Sequence, residues 1–142
     1  LKIIKEIEKE IYETKANLIF THHHNDLNLD HRVAYEATIT AARPIPNSLV
    51  TSIISFEIPA ATDWRKPYKF NPNLYIEISS QLTAKINALK AYEYEFRKPP
   101  HPRSKEMTEA VAKRWGSLSG FKAAEAFEII MSRQNDLEKI SL

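Results

Sequence analysis

The chain has 142 residues, of which 43% are hydrophobic and 27% charged, and its formal net charge is +2. That length suits one domain with a real core, and the composition is that of an ordinary globular protein. It excludes a membrane helix, which needs about 20 consecutive apolar residues, a nucleic-acid-binding basic stripe, because Lys66, Lys69, Lys85, Lys90, Arg97 and Lys98 are interspersed with acids, and, without cysteine, any disulfide or thiolate metal site.

Residues 1–15 place Ile3, Ile4, Ile7 and Ile11 on one face with Lys and Glu elsewhere, the pattern of an amphipathic helix. The chain opens at Leu1, without Met and already inside this helix, so an upstream natural start is expected. Asn17 to Phe20 is a short apolar run, read as a buried strand ending in Thr21-His22, and a polar loop follows. Asp30 occupies an N-cap position ahead of a helix from about His31 to Ala42, which Pro44 and Pro46 stop. Arg43 is placed to close that helix through its last carbonyls. Leu49 to Ile58 is rich in Val, Ile and Thr and reads as a strand. The stretch from Pro59 to Pro72 is an irregular loop whose Trp64, Tyr68 and Phe70 form either a sugar-stacking lip or packed anchors.

Leu74 to Ile78 alternates as a half-exposed strand should. Ser79 or Ser80 caps the next helix, with Leu82, Ile86, Leu89 and Phe96 on one face, and the segment Pro99 to Pro102 breaks it. A helix from about Ser104 to Trp115, a turn over Gly116 to Gly120 and a last strand from Ala124 to Met131 complete the order. The tail from Ser132 is polar. Trp115 and Phe121 read as core, and Glu125 and Glu128 as solvated carboxylates. With two glycines in all, a glycine-rich phosphate loop is excluded. Alternating strands and helices predict an α/β layered fold with a mainly parallel sheet, where ligands gather beyond the carboxyl ends of the strands. The loop after Phe20 lies at such an end.

That loop packs four His, two Asp, Asn25 and Asn28 into the ten positions from His22 to His31. Imidazole and carboxylate are good zinc donors, and hydrolytic zinc takes three protein ligands and a water. Asp30 is available to cap the helix or orient an imidazole. Solvated histidines in a surface loop are the plain alternative. His22-His23-His24 is not a tag remnant, since it is internal, short and followed by well-patterned sequence.

The stretch Thr21-His22, Asp26, Asn28, Asp30-His31-Arg32 and Ala37, continued by Thr40 to Pro44, resembles the second metal motif of the PIG-L (LmbE-like) de-N-acetylase family. Asn73 to Ser79, Lys85 to Glu93, His101-Pro-Arg-Ser104, Gly116 to Gly120 and Ala124 to Phe127 match further along, so the resemblance covers the chain. It implies a Rossmann-like three-layer fold and the removal of acetyl from an N-acetylated amino sugar. In the family an amino-terminal His-Pro-Asp-Asp-Glu motif gives two zinc ligands and the general base, and a downstream His gives the third ligand. By resemblance that His is His31. The position thought to stabilise the oxyanion, usually His, is Asn28 here, and an amide donor can serve that purpose. Asn28 and Asp30 are thus the catalytic candidates, Asp30 as a support of His31. His22, Asp26, His101 and Arg103 are the candidates for substrate contact.

No His-Pro-Asp-Asp-Glu segment occurs in these 142 residues. The expectation is the carboxy-terminal part of a single domain, lacking the first strands, with one zinc ligand and no deacetylase activity of its own. Such a chain leaves an apolar sheet edge open and is expected to self-associate. The absence of cysteine fits a reducing cytoplasm. The competing reading is a non-catalytic sugar-binding or assembly module, favoured by Asn28.

Overall fold

The computed structural model describes residues 2–67 and 69–134. The order of elements is α1 (Lys2–Thr14), β1 (Leu18–His22), α2 (Leu29–Ala41), β2 (Ser52–Phe56), β3 (Leu74–Glu77), α3 (Leu82–Lys90), α4 (Lys105–Ser119) and β4 (Ala124–Ser132). Leu1, Tyr68 and the tail beyond residue 134 lie outside the described residues.

The four strands form one sheet in the order β1-β2-β4-β3. β1 and β2 pair in parallel, with Leu18 opposite Ser52 and His22 opposite Phe56. β4 pairs antiparallel with both β2 and β3. The sheet is therefore mixed, with mostly antiparallel pairs, which corrects the expectation of a mainly parallel one. The reason is topological. β1, β2 and β3 all point the same way, but two helices rather than one separate β3 from β4. One helix returns the chain to the starting end of the sheet, and the second carries it back across. β4 then enters between β2 and β3 from the opposite end.

Alternation along the strands assigns the two faces. Ile19 and Ile53, register partners, pack with Ile11 of α1, Ile39 of α2 and Ala42 at its C-cap. Phe20, Phe56 and Phe127 point to the other side, toward Leu89 of α3 and Val111 and Trp115 of α4. Helices thus cover both faces. Trp115, with Phe70, Ala124 and Ala126, makes a second buried cluster, and Ile78, Ala112 and Ala123 a third.

Several boundaries move for local reasons. Asn28, not Asp30, occupies the N-cap position of α2, and Asp30 sits in its first turn. α3 stops at Lys90, so Phe96 belongs to the following turns. α4 runs through Gly116 to Ser119, and a Cβ at residue 116 would meet the backbone of Phe121 and Ala123 at 2.7–2.8 Å. Glycine there permits close helix–strand packing, whereas Gly120, at φ 80°, supplies the left-handed C-cap. Ser104 caps α4, accepting from the Met107 N–H. Phe121, expected in the core, is exposed. Arg43 does close α2, donating to the Thr40 carbonyl at 2.7 Å.

Among the described residues β1 is an edge strand. Leu18 and Phe20 are 44% and 52% exposed, and a groove runs between this edge and the apolar face of α1, lined by Ile3, Ile7, Ile11 and Leu18.

Candidate functional site

The polar loop starts at the carboxyl end of β1 and folds on itself. His23 turns the chain: its Nδ1 accepts the Asn25 N–H at 3.2 Å and its carbonyl accepts the Asp26 N–H. Asp26 continues with an Asx turn, accepting the Asn28 N–H on Oδ1 at 2.9 Å. Arg32, one turn into α2, reaches back to the carbonyls of Asp26 and Leu27, each at 2.7 Å. From the other side, the loop after β2 grips the same turn. The Ala61 carbonyl accepts the Leu27 N–H, and Thr62 Oγ1 donates to Asp26 Oδ2 at 3.0 Å.

Asp26 is thereby fully enclosed, at 0% exposure. A carboxylate withdrawn from water costs several kcal/mol unless its lone pairs are met, and here three partners meet them. The third is His31, whose Nδ1 lies 3.1 Å from Asp26 Oδ1. The contact is bent away from ideal hydrogen-bond alignment, but two buried polar atoms at that distance are paired rather than orphaned. A carboxylate against Nδ1 places the ring proton there and leaves Nε2 with the lone pair. His22 stacks on His31, with centroids 4.0 Å apart, and its far side meets Phe56. Burial, and then the neighbouring His31, hold the His22 pKa below its ordinary value.

The sequence candidates fall into three groups. His22, Asp26, Asn28 and His31 are brought together. Asp26, expected at the substrate, is fully buried and faces His31. Asp30 is exposed on α2, so the carboxylate that orients His31 is Asp26 rather than Asp30. Asn28 spends its backbone N–H on Asp26, while its side chain makes no capping bond. His101 and Arg103 lie on the loop before α4. The His101 Nδ1 accepts the Arg103 N–H, and Arg103 pairs with Glu95 and donates to the Pro59 carbonyl at 3.4 Å. They are thus tied to the loop that grips Asp26, without a bond to His22, Asp26 or His31. Of the three aromatic candidates, Trp64 is exposed, Phe70 is buried against Trp115, and Tyr68 is outside the described residues.

His23 is not solvated, as a loop histidine would be, but wholly buried. Its Nε2 lies 3.1 Å from Glu128 Oε2, again in a bent contact, and Glu128 Oε1 accepts the Asn71 N–H. Burial lowers the His23 pKa, with Glu128 opposing the shift. His23, His24 and Glu128 also form a group whose donor atoms lie within 4.8 Å of one another. The donor chemistry is unfavourable for a metal on His23, however. Because Nδ1 accepts the Asn25 N–H, the proton of neutral His23 sits on Nε2, facing Glu128. His31 is the reverse case, with its Nδ1 against a carboxylate and Nε2 left as the donor.

Beside this site, on the same sheet face as His22, a cavity of about 550 Å³ lies between Phe20, Phe56 and Phe127 and the helices α3 and α4. Its wall holds a Lys85–Glu125 ion pair at 2.5 Å. Burial raises the Glu57 pKa, and the Trp115 Nε1–H, donating to it at 2.6 Å, counters this.

The sequence reading missed Thr62 and Glu128. A threonine in an irregular loop carries no distinguishing signal. Glu128 shares a face with buried Ala126, and that alternation was the available clue.

No family model matches the chain, and no curated protein matches it in sequence. Among solved structures it is similar to a conserved protein of Thermus thermophilus, with a TM-score of 0.70 and 16% identity over 96% of this chain and 61% of that one. It is also similar to the N,N'-diacetylchitobiose deacetylase of Pyrococcus horikoshii, at a TM-score of 0.68 and 16% identity over 92% and 51% of the two chains. A third is GalB, the 4-carboxy-2-hydroxymuconate hydratase of Pseudomonas putida, at 0.68 and 15% over 95% and 60%. The chain therefore has the fold of these proteins and spans 51–61% of their length. A deacetylase and a hydratase share that fold, so the fold alone does not select the reaction.

Proposed function

We propose that residues 1–142 are the carboxy-terminal part of one LmbE-like domain, and that the complete domain is a zinc-dependent deacetylase of an N-acetylated amino sugar or its conjugate. The observation that carries this reading is His31 at the carboxyl end of β1, with Nδ1 turned to the buried Asp26. A metal-ligating histidine ordinarily gives its second nitrogen to such a carboxylate. The deacetylase-like fold and the motif resemblance support the same reading.

In this account His31 holds the metal through Nε2, and Asp26 fixes the tautomer and the ring plane. Zinc, when bound, supplies a lowered pKa for water and polarisation of the acetyl carbonyl. The Asn28 amide is the candidate donor to the developing oxyanion. His22, flat against His31, borders the substrate side, and the neighbouring apolar cavity takes the less polar part of a conjugate. His101 and Arg103, on the α3–α4 loop, are the further candidates for substrate contact. The remaining two ligands and the general base come from a His-x-Asp-Asp segment outside this sequence.

Acetate release from an N-acetylated amino sugar is the test. A protein carrying the His-x-Asp-Asp segment ahead of this chain should release acetate with zinc, and His31→Ala should abolish both zinc stoichiometry and activity. Retention of both rejects the assignment. The 142-residue chain alone, with one ligand, should release none. Asn28 favours a second reading, a non-catalytic sugar-binding module. Sugar binding without turnover in the longer protein would select it.

A further inference from the structure

We propose that Thr62 is a positioning residue for His31 and acts through Asp26. This deepens the role proposed above for His31 and rests on that reading for its functional meaning.

The hydroxyl of Thr62 is buried at 1% exposure and has two partners. It accepts the Ile58 N–H at 2.7 Å, so its own proton is available to one acceptor, Asp26 Oδ2 at 3.0 Å. Asp26 Oδ1 takes the Asn28 N–H and faces His31. A carboxylate held at one oxygen by a backbone turn still pivots about its Cβ–Cγ bond. The second bond, from Thr62, stops that rotation and keeps Oδ1 on His31 Nδ1. The two loops that meet here come from the carboxyl ends of the adjacent parallel strands β1 and β2. The Thr62 hydroxyl thus couples the end of β2 to the orientation of an imidazole at the end of β1.

The turn that presents Thr62 is itself built for the purpose. The Ile58 carbonyl accepts the N–H groups of both Ala61 and Thr62, and Ala60 adopts φ 72°, a left-handed conformation that alanine rarely takes. Such strain persists where surrounding bonds over-determine the backbone. Here the Leu27–Ala61 and Thr62–Asp26 bonds do so.

The test reads the tautomer of His31 by long-range ¹H–¹⁵N NMR in the zinc-free 142-residue chain, at a pH where the ring is neutral. The wild type should show a single Nδ1–H tautomer. Thr62→Val, which keeps shape and removes the hydroxyl, should lose it in favour of the largely Nε2–H mixture of a free histidine side chain, and Thr62→Ser should restore it. A Thr62→Val chain that keeps Nδ1–H while its amide spectrum stays dispersed overturns the proposal, as does failure of Thr62→Ser to restore it. Should Thr62→Val not fold, the wild type decides. A solvent-protected Thr62 hydroxyl proton is expected, and a freely exchanging one refutes the bond. Because zinc is absent throughout, the result is independent of the metal reading. Failure of that reading shows instead as a His31 ring unaffected by added zinc.

Discussion

Two regions of this chain, at adjoining parts of β1, are finished to very different degrees. At its carboxyl end the loop from His22 to His31 is tied down from within. Asp26 accepts from Asn28 and Thr62 and lies 3.1 Å from His31 Nδ1, and His23 accepts from Asn25 and lies 3.1 Å from Glu128. Along its outer edge the same strand exposes Leu18 and Phe20 beside an open groove under α1. The polar loop holds its own fold through these contacts, and the apolar edge has no such cover among the described residues. Directional groups such as carboxylates must be satisfied locally or they unfold the loop, whereas an uncovered apolar edge costs only the burial it forgoes.

The strongest way to break the contrast is Asp26→Leu, which leaves the Asn28 N–H, the Thr62 hydroxyl and the His31 Nδ1 without their acceptor. Unfolding in urea should show a loss of about 3 kcal/mol or more. A loss below about 1 kcal/mol would mean the loop does not depend on that carboxylate.

Acidification probes the same region. His22 and His23 have folded pKa values below the ordinary 6.5. Between the folded values and 6.5 the unfolded chain binds more protons, so stability is fully present above about 6.5 and declines as pH falls through that window. Urea midpoints at pH 7.5 and 5.5 should differ accordingly, and His22→Asn should remove part of the slope. Equal midpoints would contradict both depressed histidines.

The edge should respond least in stability and most in association. Leu18→Lys, at an exposed position, should change unfolding by less than about 0.5 kcal/mol and reduce self-association in light scattering. A monomeric wild type at high concentration would show that the edge is not adhesive.

This contrast also explains what is legible in the sequence. Ile19 and Ile53, or Leu82 and Ile86, announce their elements because burial imposes a period on them. The parallel pairing of β1 and β2 follows from the βαβ alternation, whereas β3 is reached from β2 through a loop without a helix. The antiparallel entry of β4 does not: the two helices before it are legible, but the end of the sheet at which the chain re-enters is not. In the site, His31 is singled out by its motif, but the carboxylate beside it is not the neighbouring Asp30 that the sequence suggests. Only the Asx turn shows that Asp26 swings inward while Asp30 faces solvent. Thr62, 36 residues from Asp26, leaves no trace in local pattern because one hydroxyl in a loop resembles any other. His23 looks solvated for the same reason, its partner Glu128 being brought in by the sheet.

The central claim is that His31, with Nδ1 committed to Asp26, is the histidine prepared for a metal, and that His23 is not. Titrating excess zinc into ¹⁵N-histidine-labelled chain tests it most directly. The account predicts that the His31 Nε2 resonance moves first and that His31→Ala removes the response, with His23 unmoved. Movement of His23 and His24 while His31 stays still would contradict it and would place the metal on the Glu128 side of the loop.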